Sequence, residues 1–263
     1  MTRFRDFWVG LALIAALALP LYFVAAALAT KYGLVDWTFG FGQLTFVWGP
    51  RVVLAVAGLA LLALALAVFT PPRRGVLTAL LALLIPALGL GYAFYVRQQV
   101  KDVPPIHDIS TDLVDPPAFS DAVYAARAAI RGANALDLLN KRTADDALFT
   151  DLQRASYPDI AHVTSGLTPE RAFAVASALA REQRWIVTRE DAAAGVIEAT
   201  QESFWYGFID DIAIRVRADG VGARVDMRSV SRVGRSDLGV NAARMRPYLT
   251  ELRARLQAEE SAG

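Results

Sequence analysis

The residues with the most chemical potential lie between Arg228 and Arg246, in the stretch RSVSRVGRSDLGVNAARMR. Arg228, Arg232, Arg235, Arg244 and Arg246 carry planar guanidinium groups, which hold carboxylates or phosphates through two parallel hydrogen bonds. Gly234 and Gly239 permit tight or left-handed backbone, Ser231 and Ser236 can donate or accept in the same turn, and Asp237 or Asn241 can cap the amides of a following helix. Two uses stay open: a structural cap with Arg244 bound to an acidic neighbour, or an anion site joining helix amides to Arg232 or Arg235. The order GxxxxGK[ST] is absent, so this is no phosphate loop of that type.

Catalysis needs a nucleophile, a base and a transition-state stabiliser within reach of one another. Ser229 and Ser231 have no evident histidine partner, the two histidines being His107 and His162. Asp210 and Asp211 form a carboxylate pair, but neighbours on a strand point to opposite faces, so shared acid–base work would require a bulge or turn. His107, Asp108 and Asp112 could contribute metal ligands, yet they sit in a Pro-rich stretch without a well-spaced set. The lack of cysteine excludes disulfides, thiolate metal sites and a cysteine nucleophile, and is compatible with either redox compartment. No catalytic residue, cofactor or metal is expected, and an enzyme is the less supported class.

The elements that position these residues begin with three apolar runs. Trp8–Ala29 is uncharged and, as a helix, reaches about 33 Å, enough to cross the hydrocarbon of a bilayer. Val52–Phe69 and Val76–Val96 are the second and third runs, the last holding Pro86 and Gly89. Arg3, Arg5 and Ala27-Leu28-Ala29 also fit a cleaved signal peptide, but the length of the first run favours a retained span. Residues 30–50, rich in Trp and Phe, suit the headgroup layer. Arg3, Arg5, Arg73 and Arg74 place the N-terminus and the second connection on the cytoplasmic side, against Lys31, Arg51, Arg97 and Lys101. The expectation is a multi-pass protein of a bacterial inner membrane, with residues 101–263 extracytoplasmic, in the periplasm of a Gram-negative cell.

Charge divides the same way. Residues 1–100 hold 7 Lys/Arg and 2 Asp/Glu, a net +5, while residues 101–263 hold 20 and 24, a net −4. A mildly acidic domain has no global field for nucleic acid, so none is expected as a partner. Three regions follow: a three-helix membrane region over 1–100, a Pro-rich extended connector over 101–117, and an α+β domain over 118–263. In that domain Ala118–Ile130 reads as a short helix, Ile160–Thr164 as a strand, and Pro169–Gln183 as a helix capped by Thr168. Trp185–Arg189 and Val196–Thr200 read as two strands joined by the turn DAAAG. Val240–Gln257 reads as an amphipathic helix with Met245, Leu249, Leu252 and Leu256 on its apolar stripe.

The clearest local pattern is FIDDIAIRVRADGVGARVDMRSVSR. A two-residue turn at Asp219-Gly220 predicts a hairpin pairing Ala218 with Val221, Ile214 with Val225, Ile212 with Met227, and Asp211 with Arg228. One face then carries Ile212, Ile214, Val216, Val225 and Met227, the other Asp211, Arg215, Arg217, Arg224, Asp226 and Arg228. Arg215 would stand opposite Arg224, with Asp226 close enough to compensate. The charged face is either a solvated salt-bridge lattice or a concave surface for a carboxylate, phosphate or lipid headgroup. The expected architecture is a compact two-layer α+β domain, its antiparallel sheet covered by helices on one face.

The run from Ile197 to Leu249, with DD, RSxSRxGxSDxGxN and a following helix in order, resembles the bacterial domain-of-unknown-function family number 1499. The resemblance extends back through PPAF at Pro116–Phe119 and covers most of residues 104–257. It implies that Asp210, Asp211, Arg215, Arg217, Arg228, Ser229, Ser231, Arg232, Gly234, Ser236, Asp237, Gly239, Asn241 and Arg244 occupy the family's characteristic positions. Shorter relatives carry a cysteine-containing segment before the domain, where this chain has three apolar runs and HDISTD. The candidate ligand-binding set is Asp211, Arg215, Arg217, Arg228, Ser229, Ser231, Arg232, Gly234, Ser236, Asp237, Asn241 and Arg244. The expected role is a membrane-tethered binding or assembly module meeting membrane lipids and an envelope protein or anionic ligand, with a structural subunit of a membrane complex as the alternative.

Overall fold

The computed structural model describes residues 2–262. The chain divides into two units, one running to Lys101 and including Phe204–Gly207, the other comprising Asp102–Ser203 and Phe208 onward.

In the first unit α1 spans Thr2–Lys31, α2 Gly49–Phe69 and α3 Val76–Val100, with a π-helical segment at Thr38–Trp48 running into α2. Three helices are long and apolar enough to cross a membrane. They pack through small residues: Ala12 and Ala16 of α1, Ala60, Ala63 and Ala67 of α2, and Ala79 and Ala82 of α3 are fully buried. Alanine lets helix backbones approach closely, which substitutes for the hydrophobic drive that lipid removes. Leu54, Leu61, Leu77 and Leu88 stay on the outside. Arg5 is buried and donates to the carbonyls of Thr70 and Pro72, tying the start of α1 to the α2–α3 connection. Residues 30–50, expected as an interfacial loop, are largely helical. Gly40 is required there, since a Cβ would lie 1.8 Å from Thr30 Oγ1.

The second unit contains β1 (Asp108–Ser110), α4 (Asp121–Ala128), α5 (Phe149–Ser156), β2 (Val163–Ser165), α6 (Pro169–Glu182), β3 (Ile186–Asp191), β4 (Val196–Glu202), β5 (Ile209–Asp219), β6 (Gly222–Ser231) and α7 (Val240–Ala262). The strands form one antiparallel sheet in the order β1-β6-β5-β4-β3, with β2 also on the outer edge of β6. The middle of the Pro-rich stretch 101–117 is therefore a sheet strand. The side-chain amide of Gln153 on α5 prolongs its outer edge, accepting from Ser110 N at 3.0 Å and donating to Ser110 O at 2.6 Å.

The β5–β6 hairpin differs from the expected register by two residues. Asp219 pairs with Gly222, Ile214 with Met227, Asp211 with Val230 and Arg215 with Asp226, so the turn is Gly220-Val221. Gly220 has φ +60° and neither Asp219 nor Val221 is left-handed, so Gly220 takes the first central position of the turn, whereas the expected turn needs a left-handed Asp219 as well. Gly222 lets β2 approach, since a Cβ there would lie 2.1 Å from Ser165 O. A two-residue shift preserves the faces. Ile212, Ile214, Val216, Val225 and Met227 pack against Phe173, Ala176, Leu179 and Ala180 of α6 and Met245, Leu249, Leu252 and Leu256 of α7. Both helical stripes are those that periodicity indicates. Tyr248 is also buried and donates to Ala176 O at 2.8 Å.

The charged face is covered as well. Phe119, Val123 of α4 and Leu136 pack on Ala213 and Val230. The Glu198 carboxylate accepts from Ser120 N at 2.5 Å and Ser120 Oγ at 2.6 Å, fixing the start of α4 to the sheet. Segment 111–140 thus forms a roof over a face that alternation alone assigns to solvent or to a ligand.

The tight β3–β4 turn supplies a test. Gly195 has φ +66°, and a Cβ there would lie 2.1 Å from Val216 O. Gly195→Ala is expected to destabilise the chain by more than the roughly 1–2 kcal/mol of a left-handed non-glycine residue, read as a lowered thermal midpoint.

Candidate functional site

The sheet places Asp211, Arg215, Arg217, Arg224, Asp226 and Arg228 on the roofed face and Asp210, Ser229 and Ser231 on the face toward α7. Three polar clusters result.

The first centres on Asp108, fully buried on β1. Arg228 grips it with Nε and Nη2 at 2.9 Å each, and Lys141 Nζ lies 3.0 Å away. Arg228 also donates to Pro117 O at 3.2 Å and Leu136 O at 2.8 Å, with its guanidinium 5.3 Å from the Phe119 ring centre. Burial alone pushes the Asp108 carboxyl up, but the Arg228 and Lys141 contacts outweigh it and hold the group below its ordinary value. The expected Asp211–Arg228 pair is not formed. Their shared face survives the register shift, but Asp211 is taken by Arg127 of the roof and Arg228 by Asp108 on β1.

Asp211, also fully buried, receives Arg127 Nε at 2.7 Å from α4 and Arg232 Nη2 at 2.7 Å. Arg127 continues to Asn134 O at 2.9 Å and Val230 O at 3.1 Å. Asn134 Nδ2 in turn donates to Ser231 O at 3.1 Å and Gly234 O at 2.9 Å, so the glycine turn after β6 is stitched to the roof. Further along this face, Asp226 accepts from Arg215, Arg224 and Thr111 Oγ1. Arg215 and Arg217 reach Asp115 at 3.0 and 2.9 Å, while Arg217 and Arg224 reach Asp112 at 3.1 and 2.8 Å. Arg215 stands opposite Asp226, while Arg224 now faces Arg217, and the Asp112 carboxylate between them offsets that like-charge pair.

The second cluster lies under the first turns of α7. Arg244 donates to Asp210 Oδ2 at 2.5 Å, Gln201 Oε1 at 2.5 Å, Ser229 Oγ at 2.8 Å and Asn241 Oδ1 at 2.5 Å. Asn241 Nδ2 donates to Ser231 Oγ at 3.1 Å and His107 O at 3.3 Å. Asp237 caps α7, accepting from Gly239 N at 2.8 Å and Asn241 N at 3.0 Å, and burial raises its carboxyl above the ordinary value. Ser236 Oγ accepts from Leu238 N at 3.1 Å in the same turn. Gly234 and Gly239 have φ +95° and +85°, as a turn this tight requires. Arg246 lies outside the cluster and pairs with Asp159.

The third feature is His107, buried edge-on to Phe149 with ring centres 4.9 Å apart. Its Nδ1 lies 3.2 Å from Arg235 O, and its Nε2 has no partner. Burial and the Lys141 cation lower its pKa to about 4. The neutral ring therefore donates through Nδ1. Asp108 and Asp112, grouped with His107 by sequence, turn to separate arginines. Among the described residues, no three His, Asp or Glu side chains are grouped to hold a metal ion.

No sequence signal marks Arg127, Asn134 and Lys141: Arg127 sits in the expected short helix Ala118–Ile130 with nothing to mark its partner, Asn134 and Lys141 lie in the stretch of mixed signals after it, and the arginine expected on Asp211 is Arg228. The arrangement defines an α+β domain that follows three helices long and apolar enough to cross a membrane, with the residues of its RSxSRxGxSDxGxN run cross-linked to one another and to neighbouring segments. The family described as a protein of unknown function, DUF1499, matches residues 108–252, and the chain belongs to it. No curated protein matches the chain at a significant level.

Removing one buried partner leaves the others uncompensated. Asp211→Ala is expected to cost about 3–5 kcal/mol in chemical unfolding, whereas Arg235→Ala, at an exposed position, is expected to stay within about 0.5 kcal/mol. The pH dependence has a definite sign. An unfolded histidine takes up a proton near pH 6.5, and folded His107 refuses it until about 4. This contribution is complete above pH 6.5 and declines toward pH 4, by at most about 1.4 kcal/mol per unit. Lys141 and Arg127 oppose protonation of the ring and Asp108 favours it. His107→Gln is expected to flatten the urea midpoint between pH 4.5 and 6.5 while leaving the steeper loss below it.

Proposed function

We propose that this chain is a membrane-tethered assembly module. Three spans hold it in a bacterial inner membrane, residues 101–263 stand on the extracytoplasmic side, and the cross-linked sheet presents a stiff surface to another envelope protein. The orientation rests on the arginines flanking the first span and the second connection, with an odd number of spans between the N-terminus and the domain.

The observation that carries the reading is the internal pairing of the signature. Arg215, Arg217, Arg228, Arg232 and Arg244 each face a carboxylate within the domain. A guanidinium already held by a buried carboxylate gains little from an incoming anion, because the ligand must displace a partner that would then be left unpaired. The signature accordingly specifies shape, and recognition falls to the exterior. An open groove of about 490 Å³ lined by Trp185, Gln201, Val240, Ala243, Arg244 and Pro247 offers a mixed aromatic and aliphatic surface beside the start of α7. Val240 is half exposed there. Protein interfaces favour such aromatic anchors beside a buried arginine.

The test is native mass spectrometry of the full chain extracted gently from its own membranes, against Val240→Glu, which leaves the buried pairs alone. The wild type is expected as a stoichiometric complex with a second membrane or envelope protein, and the variant as the chain alone with an unchanged thermal midpoint. A wild type that carries an anionic small molecule and no protein would contradict the assembly reading.

A further inference from the structure

The loop between β4 and β5 reads SFWYGF, residues 203–208. Its base is closed by Ser203 N donating to Phe208 O at 2.8 Å and Phe208 N donating to Ser203 Oγ at 2.9 Å. The loop is thus a fixed protrusion, not a slack connection. At its tip Phe204 is 75% exposed and Trp205 51% exposed, edge to face with ring centres 5.1 Å apart. Two adjacent large aromatics held out of the domain that carries them are costly in water and call for a partner.

We propose that Phe204 and Trp205 are a second membrane anchor, seated in the headgroup layer of the bilayer that the three helices cross. Residues 204–207 belong to the first unit. Lys31, the last residue of α1, donates from Nζ to Phe204 O at 2.9 Å, with the ammonium 5.4 Å from the Phe204 ring centre. Tyr206 packs edge to face on Phe41 at 4.9 Å between ring centres, and its hydroxyl lies 2.7 Å from Thr45 Oγ1. Both partners belong to the π-helical segment that leads into α2. A lysine ending a spanning helix marks the level at which its ammonium reaches headgroups and water. Phe204 touches that marker, so the tip lies at the same depth. Tryptophan, with an apolar body and one N–H donor, suits this layer, as does tyrosine. Lipid is the occupant that this depth selects, because a partner protein would have to replace headgroups already at the end of α1.

The inference rests on the membrane-spanning part of the proposed function, and the test separates the two. The chain has no cysteine, so a single introduced thiol is unique. Full-length Trp205→Cys, Leu61→Cys and Val221→Cys proteins, each carrying a nitroxide, are placed in vesicles of phosphatidylethanolamine and phosphatidylglycerol. Collisions with oxygen, which concentrates in lipid, are compared with those of a water-soluble nickel chelate. Leu61 lies on the outside of α2 and Val221 is fully exposed at the β5–β6 turn. The expected result is a strong preference for oxygen at 61, for nickel at 221, and a ratio at 205 shifted from the aqueous value toward the lipid one. A ratio at 205 equal to that at 221, with 61 still in lipid, would overturn the anchor and leave the spans intact. An immobilised label at 205 that neither reagent reaches would also overturn it, by showing a protein over the tip. An aqueous ratio at 61 would remove the spans and the anchor together.

Discussion

Asp108, Asp211 and Asp226 have no solvent exposure, yet all three stand on strands of one sheet. A carboxylate taken out of water must be met by a cation and by enough hydrogen bonds to replace its hydration. Here that requirement recruits Arg228 and Lys141 for Asp108, Arg127 and Arg232 for Asp211, and Arg215, Arg224 and Thr111 for Asp226, of which Arg224 alone is a near neighbour in sequence. The rest of the second unit follows from satisfying those charges. Segment 111–141 folds over β5 and β6 because Arg127, Lys141 and backbone carbonyls complete the shells. Buried pairs of this kind contribute little net stability against apolar replacements, and they restrict the chain to one arrangement of its segments.

The two faces of the sheet are held by different physics. On the α6–α7 side, close packing of Ile212, Ile214, Met227, Leu249 and Leu252 supplies the apolar burial. On the roofed side a small cluster of Phe119, Val123, Ala213 and Val230 sits among the ion pairs. Arg244 and Asn241 then bind the first turns of α7 to β5 and β6 through Asp210, Ser229 and Ser231. The polar residues of β5, β6 and the RSxSRxGxSDxGxN run span both faces and the turn between them. This distribution suits residues that define a shape more than residues that converge on one reacting atom.

Much of this was legible in the residues. The three apolar runs, the Thr168-Pro169 helix start, the stripes of α6 and α7 and the two faces of the β5–β6 hairpin follow from period, capping and alternation, all of them local signals. The hairpin register was less so, because Asp219-Gly220 and Gly220-Val221 both read as two-residue turns, and the first needs a left-handed Asp219 that the chain does not adopt. The roof was illegible for a related reason. An arginine on a charged strand face has the same local pattern whether it meets water, a ligand or a buried carboxylate, and only the fold brings Asp108 to Arg228. His107 and Asp108 read as a connector for want of an apolar period, although β1 is a three-residue edge strand held by its partners.

A double-mutant cycle on Asp108 and Arg228 tests the structural role of the signature most directly. Asp108→Asn, Arg228→Met and the combination would be made in the full chain, with stability measured by chemical unfolding. Internal pairing predicts that each single change is strongly destabilising and that the double recovers part of the loss, with a coupling of about 0.5–3 kcal/mol. Near-additive effects, or an Arg228→Met variant as stable as the wild type, would contradict the account and place the partner of Arg228 outside the chain.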